Sequence, residues 1–109
     1  MEMPAGGQPG QICFDRAELT RILDLYGRMV AAGHWKDYGI AMGRDKAIFS
    51  AFRRAAERPE YRIEKCPALR QRQGMWALVG EGGQVMKRGH ELGQVLAPIS
   101  RRLMKLVDN

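Results

Sequence analysis

The sequence is poor in the residues that metal, redox and nucleophilic chemistry require. It contains 2 cysteines and 2 histidines, and it has no Cys-x-x-Cys pair typical of a redox motif or a zinc site. Its only serines, Ser50 and Ser100, lie in neither a G-x-S-x-G nor an S-x-x-K motif. The composition therefore predicts no metal and no cofactor, and it gives no support for a serine hydrolase.

Long apolar runs are also absent. No segment approaches the ~20 consecutive apolar residues that a membrane span requires, and residues 1–12 lack the basic and apolar regions of a signal peptide. The Gly6-Gly7 and Pro9-Gly10 pairs predict a disordered leader, because this segment cannot bury enough apolar surface to offset the cost of ordering. We therefore expect a leader over residues 1–12, a single domain over residues 13–109, a cytoplasmic location and no contact with a membrane.

The charge of the sequence is distributed unevenly. The net charge is +6, from 18 Lys and Arg against 12 Asp and Glu. Residues 1–52 contain 6 basic and 6 acidic groups, whereas residues 53–109 contain 12 basic and 6 acidic groups. The whole excess lies in the second half, which indicates an anionic partner such as a nucleic acid or an acidic protein. A basic surface that serves only solubility explains the same distribution.

The first structured element is predicted to be a helix that begins after Asp15. Asp15 is a favourable N-cap, and Glu18 follows at the capping-box distance. Apolar residues then recur at helical spacing, namely Leu19, Ile22, Leu23, Tyr26, Met29 and Val30. Gly33 supplies the stop, whereas Gly27 inside the helix indicates either a close crossing or a tolerated glycine.

Alternating apolar residues predict five strands in the middle of the chain. They cover residues 35–42, 47–53, 61–66, 75–79 and 84–87. Turns are expected between the first two strands and between the last two, where glycine and charged residues cluster. Short connections favour antiparallel pairing of neighbouring strands.

Apolar residues at helical spacing between Leu92 and Leu106 predict a C-terminal helix. Pro98 lies inside this pattern, so it should kink the helix or split it in two. The predicted fold class is α+β: an antiparallel β-meander of about five strands, with one N-terminal and one C-terminal helix packed on it. One face of the sheet would be covered by the helices and the other left partly open.

The segment before the last helix is a candidate anion-binding site. It contains two cations, a glycine and a histidine: Lys87, Arg88, Gly89 and His90. A helix N-terminus offers unpaired N–H groups and a partial positive charge, and histidine can bond a phosphate oxygen in either charge state. The spacing matches no established phosphate-binding loop, so a strand-to-helix turn with solvated charges fits it as well.

A second candidate is the arginine-rich stretch after the second strand. Arginine pairs bidentately with phosphate, and neighbouring rings such as Tyr61 can stack on bases. The anion-binding set predicted from this stretch is Arg53, Arg54, Arg62 and Arg72. Glu57, Glu60 and Glu64 lie among these cations and could neutralise them across strands. The sequence leaves both arrangements open.

The histidines admit one catalytic interpretation, a metal-free endoribonuclease. Such an enzyme uses histidine for general acid–base chemistry and arginine to stabilise the developing negative charge. His90 would take the first role, and the neighbouring groups would be Tyr61, Arg62, Lys87 and Arg88. His34 follows the helix stop at Gly33, where a cation favours the helix C-terminus, and we expect a structural role for it.

Several motifs, taken together, resemble a known family. They are the runs 25–33, 35–38, 52–54, 61–65, 72–74 and 87–90, which read LYGRMVAAG, WKDY, FRR, YRIEK, RQG and KRGH. In order and spacing they are similar to an alphaproteobacterial family of conserved hypothetical proteins, domain of unknown function 2794, over roughly residues 13–97. The resemblance implies a small stand-alone cytosolic protein, and the family assigns to it neither an activity nor catalytic or binding residues.

The sequence is thus compatible with three functions. The first is a non-enzymatic binding or regulatory module whose basic half contacts RNA, a ribonucleoprotein or an acidic protein. The second is a structural protein that binds another protein or forms a homodimer, through an open sheet face or the apolar stripe after Pro98. The third is the endoribonuclease. The first and third require the cations of the second half to converge on one exposed patch.

Overall fold

The computed structural model describes residues 10–54 and 57–107. Its first element is helix α1 (Arg16–Ala31) and its last is helix α2 (Leu92–Val107). Between them lie β1 (Asp37–Met42), β2 (Ala47–Phe52), β3 (Tyr61–Lys65), β4 (Trp76–Gly80) and β5 (Val85–Gly89). A short 3₁₀ turn, Pro67–Leu69, connects β3 to β4. The expected order of a helix, five strands and a helix is confirmed.

Helix α1 begins at the predicted cap. The Asp15 carboxylate accepts the N–H of Glu18 at 2.8 Å, and the Glu18 carboxylate accepts the N–H of Asp15 at 2.8 Å, which completes a capping box. Gly33 follows the helix with a φ of 78°, a conformation that glycine adopts without a Cβ clash. Nothing lies within 4 Å of a Cβ built on Gly27, so this glycine is tolerated rather than required by a close crossing.

The strands form one antiparallel sheet in the order β1-β2-β3-β4-β5. Each strand pairs with its neighbour in sequence, as short connections favour. Phe49 pairs with Ile40 and Ile63, and Ile63 pairs with Leu78, so these apolar side chains share one face of the sheet. A bulge between Leu78 and Val79 shifts the register of β5.

Both helices cover the face that carries Phe49, Ile63 and Leu78. These residues are buried in one core with apolar side chains of the helices, namely Ile22, Leu25, Met29, Leu92, Val95, Leu96, Ile99 and Leu103. Burial of one such side chain contributes about 1.5–3 kcal/mol. This shared core therefore holds the helices on the sheet.

Neither described helix packs on the opposite face of the sheet. By register this face carries Arg62 opposite Val79 and Arg88 opposite Ala77. Ala77 and Val79 are only 2% and 3% exposed, although they lie outside the helix-covered core. The expectation that both helices share one face of the sheet thus agrees with the core.

Helix α2 continues through Pro98 as one helix, so the split that the sequence allowed does not occur. Proline removes the hydrogen bond to the carbonyl of Gln94. Val95 and Ile99 are fully buried on either side of it, and their packing holds the helix against the sheet. The strand bounds differ from the expected ones by at most two residues, and β5 continues to Gly89, which pairs with Trp76.

The expected leader lies mostly outside the described residues, which begin at position 10. Ile12, near its end, donates its N–H to the carbonyl of Gly43 at 2.8 Å and packs against the core. Of the helices that the structure describes, none is long and apolar enough to cross a membrane. The described residues also contain no group of three or more His, Cys, Asp or Glu side chains suited to a metal ion.

Candidate functional site

The structure distributes the predicted anion-binding residues over both ends of the sheet. Arg53 and Arg54 follow β2, at the end where β3 begins. Arg72 lies in the loop before β4, at the end where β5 finishes with Gly89. These two ends are about 14 Å apart, because strands rise by ~3.4 Å per residue. Arg53 and Arg54 therefore lie at the end of the sheet opposite to Arg72 and Gly89.

Two of these cations are paired with carboxylates. Arg62 Nε lies 3.3 Å from Glu64 Oε2, and Lys46 Nζ lies 3.2 Å from the other oxygen of the same carboxylate. Arg54 lies 3.6 Å from Glu57 on an exposed surface, where such a pair contributes little. Among the described residues, no carboxylate lies within 4.0 Å of the other predicted cations, which are Arg53, Arg72, Lys87 and Arg88.

The turn before α2 is closed by a side chain of the helix itself. Gln94 Oε1 accepts the N–H of His90 at 2.8 Å and the N–H of Glu91 at 3.0 Å. A Cβ on Gly89 would lie 2.6 Å from this oxygen, so the glycine makes room for the Gln94 side chain. Two N–H groups that a phosphate would need are thus already satisfied, and Glu91 adds a negative charge to the turn.

The groups considered for RNA cleavage lie at opposite ends of β4. Tyr61 pairs with Gly80, the last residue of β4, whereas His90 follows Gly89, which pairs with the first residue of that strand. The Tyr61 hydroxyl accepts a hydrogen bond from Arg102 Nη1 at 3.1 Å, and the ring is buried. The structure therefore does not bring Tyr61 and His90 together around one phosphate.

The most highly connected carboxylate is that of Glu60, just before β3. It accepts a hydrogen bond from Trp35 Nε1 at 2.8 Å and one from Arg102 Nη1 at 3.0 Å, and it lies 3.1 Å from His34 Nε2. Arg102 in turn donates to the Tyr61 hydroxyl. We call these five residues the Glu60 cluster. It joins the α1–β1 loop, the start of β3 and helix α2.

The electrostatics of the Glu60 cluster favour its charged form. Burial raises the pKa of Glu60, but the Trp35 hydrogen bond and the charges of Arg102 and His34 outweigh it, so the pKa lies below its ordinary value. Burial lowers the pKa of Arg102, but the Tyr61 hydrogen bond and the Glu60 charge raise it above its ordinary value. The Glu60 side chain is only 11% exposed. The cluster is therefore an internal ion network that ties α2 to the sheet.

Sequence reasoning did not identify this network. It treated Glu60 as a partner for the nearby arginines, and it placed His34 at the end of α1 without a carboxylate. One signal was available: a buried tryptophan needs an acceptor for its indole N–H, and Trp35 is buried. Nothing local in the sequence shows that the acceptor comes from position 60.

An open groove runs between α1 and α2 on their exposed side. One part has a volume of about 400 Å³ and is lined by Arg21, Asp24, Leu25, Arg28, Gly93, Leu96, Ala97, Ser100, Arg101 and Met104. A second part, also of about 400 Å³, is lined by Arg28, Ala31, Ala32, Leu103, Met104 and Val107. Arg28 and Met104 line both parts, so the two parts form one continuous groove. We call them the cationic half and the apolar half of the helix groove.

The two helices that form the helix groove run parallel. Near their N-termini, a Cβ on Gly93 would lie 3.1 Å from Arg21 Nη2. Near their C-termini, Ala31 of α1 and Val107 of α2 line the same half. The helix dipoles therefore have the same direction, with their positive ends at the Gly93 end of the groove.

The cationic half has an excess of positive charge. Arg21, Arg28 and Arg101 line it together with one carboxylate, Asp24. Asp24 lies 3.6 Å from Arg28, and both side chains are largely exposed. Because Arg21 and Arg101 come from opposite ends of the chain, no local motif in the sequence could have shown this site.

Aromatic side chains offer little surface for base stacking. Phe49, Tyr61 and Trp76 are buried. Tyr38 is the one aromatic residue among the large exposed apolar side chains of the described chain. Its ring stacks on Phe49 with a centroid separation of 5.2 Å and meets Tyr26 edge-on at 4.9 Å. Sheets that bind RNA instead present several exposed rings.

The fold and its surfaces define a small α+β protein with an open five-stranded meander and a groove between two parallel helices. The sequence matches the model of the family described as "Protein of unknown function (DUF2794)" over residues 12–96, and the chain belongs to this family. The family resemblance noted from the motifs is thus confirmed. Comparison with curated proteins and with solved structures found no match.

Proposed function

We propose that this protein is a cytoplasmic, non-enzymatic binding module that takes an acidic protein surface into the helix groove. The observation that carries the proposal is the charge of the cationic half, where three arginines face a single carboxylate. Arg21, Arg28 and Arg101 together give this part of the groove a positive field. The proposal keeps the anionic partner expected from the net charge, and it assigns that partner to the helix groove rather than to Lys87 and Arg88.

The arginines of the groove are available to a partner. The pair between Arg28 and Asp24 is 67% and 66% exposed, and such pairs are screened by solvent and contribute little. No carboxylate of the described residues lies within 4.0 Å of Arg21 or Arg101. Since arginine recognises carboxylates through two parallel hydrogen bonds, the groove suits a partner that presents Asp or Glu side chains.

The other two binding hypotheses have less support. RNA binding on the sheet would use exposed rings and open cations, whereas the largest rings are buried and Arg62 is paired with Glu64. A homodimer through the apolar stripe after Pro98 would use Ile99, Leu103 and Leu106. Ile99 and Leu103 are buried in the core of the protein itself, and Leu106, which is 38% exposed, offers little contact area on its own.

Two fluorescent probes test the proposal: a short poly-glutamate peptide and a single-stranded RNA of equal length. Binding is measured by fluorescence anisotropy at low and at physiological salt. We expect the peptide to bind at low salt and to weaken as salt rises, because exposed charges are screened beyond about 10 Å. The variant Arg21→Gln/Arg101→Gln should weaken peptide binding about tenfold, since each lost pair is worth roughly 0.2–1 kcal/mol and 1.4 kcal/mol is tenfold.

The variant Arg53→Gln/Arg72→Gln is the matched control, because it removes the same charge outside the groove. It should leave the affinity for the peptide within about twofold of wild type. Equal losses in both variants would show that only net charge matters, and they would contradict the proposal. Stronger binding of the RNA, lost in Arg62→Gln/Arg88→Gln, would contradict it in favour of the sheet.

A further inference from the structure

From the continuity of its two halves we infer that the helix groove receives a single α-helix of a partner protein, whose groove-facing stripe is apolar in one part and acidic in the other. This inference rests on the proposed function, and it adds the secondary structure and the residue pattern of the partner. It depends on the shape of the groove, on the exposure of its apolar half and on its charge.

The length of the groove matches that of a short α-helix. Its wall on α1 extends from Arg21 to Ala31, about 15 Å at 1.5 Å per residue. Its wall on α2 extends from Gly93 to Val107, about 21 Å. Packed helices lie about 8–10 Å apart, so two parallel helices leave a trough between them that a third helix of three to four turns fills.

The apolar half offers hydrophobic contact that the described residues leave exposed. Met104 and Val107 are 62% and 63% exposed, and a cluster of exposed apolar side chains marks an interaction site. Ala31 and Ala32, on the facing wall, are small enough to let a partner backbone approach closely. The flexible Met104 side chain adapts to the apolar residues that it meets.

The charge of the groove selects the kind of partner. A second copy of the chain would bring a further net charge of +6 to a groove that already has an excess of arginine, which disfavours a homodimer there. A flat bilayer would touch the rim of the groove, whereas its floor is formed by the buried residues Leu25 and Leu96. A partner helix with carboxylates over the cationic half satisfies both the shape and the charge.

Two designed peptides of three to four turns test the inference. In the first, leucines follow one face at helical spacing over one half, and glutamates continue the same face over the other half. The second has the same composition in scrambled order and therefore the same net charge. We expect the full-length protein to bind the first peptide about tenfold more tightly than the second. Its circular dichroism should also show a gain of helix on binding.

The variant Met104→Gln/Val107→Gln should weaken binding of the first peptide about tenfold and leave binding of the scrambled peptide unchanged. Val85→Gln/Met86→Gln is the matched control, because these β5 residues are 51% and 47% exposed and lie outside the groove. This control variant should bind both peptides like the wild type.

The outcomes separate this inference from the proposed function. If both peptides bind equally, and both lose affinity in Arg21→Gln/Arg101→Gln, the groove binds acidic chains but the helical partner is wrong. If neither peptide binds, both proposals are wrong. If vesicles of anionic phosphatidylglycerol bind through Met104 and Val107 and neither peptide competes, the occupant is a membrane surface and the inference is overturned.

Discussion

The backbones of Gly74 and Gly89 meet at one corner of the sheet. A Cβ built on Gly74 would lie 2.4 Å from the carbonyl oxygen of Gly89, and Gly74 has a φ of 99°. This approach joins the loop before β4 to the end of β5, immediately before α2 begins. Both the contact and the backbone conformation require glycine at position 74.

Replacing Gly74 by alanine should therefore destabilise the protein by about 2–4 kcal/mol, from backbone strain together with the clash. The measurement is urea unfolding followed by the fluorescence of the buried residues Trp35 and Trp76. An unfolding midpoint equal to that of the wild type would show that this corner rearranges at no cost, contrary to the prediction.

Gly27 provides the opposite case. It lies inside α1, where no atom beyond its chain neighbours and the helix's own backbone is within 4 Å of its Cβ position, and its φ is not positive. Gly27→Ala should stabilise the protein by about 0.5–1 kcal/mol, because alanine has the higher helix propensity and restricts the unfolded chain. A decrease in stability in the same urea experiment would indicate a contact at this position that the structure does not contain.

The Glu60 cluster predicts a dependence of stability on pH. Because the pKa of Glu60 is lower in the folded than in the unfolded protein, its contribution to stability is complete above the unfolded value and disappears as pH falls through the folded value. Wild-type stability should therefore decrease as the pH falls below about 4.5. Thermal unfolding at a series of pH values measures this decrease.

Glu60→Gln tests whether Glu60 causes the loss of stability in acid. The amide keeps an acceptor for Trp35 but cannot be ionised, so the variant should lose about 2–3 kcal/mol at neutral pH. Its stability should then decrease less steeply than that of the wild type in acid. Identical slopes for the two proteins would assign the acid sensitivity to another carboxylate.

The Gln94 cap gives a fourth prediction. Gln94→Ala leaves the N–H groups of His90 and Glu91 without their acceptor, and it should cost about 1 kcal/mol. Gln94→Glu keeps an acceptor and places a negative charge at the helix N-terminus, so it should match or exceed the wild type. If both variants lose the same stability, the contribution of Gln94 comes from packing and not from capping.

The fold class was predictable because its signals are local. Asp15 and Glu18 lie three positions apart and define the start of α1 on their own, and strand alternation with short turns leaves a meander as the simplest sheet. The end of β5 was missed for a physical reason. Pairing with β4 continues through Arg88 and Gly89, which carry no apolar signal but lie opposite Ala77 and Trp76.

The candidate site could not be predicted in the same way. The arginine-rich stretch is conspicuous in sequence, but successive elements of the meander carry its members to opposite ends of the sheet. Arg21 and Arg101 are inconspicuous in sequence, and they share a groove because α2 packs parallel to α1. Such a relation depends on how the last helix crosses the sheet, which no window of sequence contains.

The helix groove has one wall from α1 and the other from α2, and the five described strands lie between these helices in sequence. During synthesis on the ribosome, α1 is complete before the five strands and α2 have been made. A chain that is terminated or cut before α2 therefore lacks one wall of the helix groove. A ligand that needs both walls would therefore bind only chains in which α2 has folded beside α1.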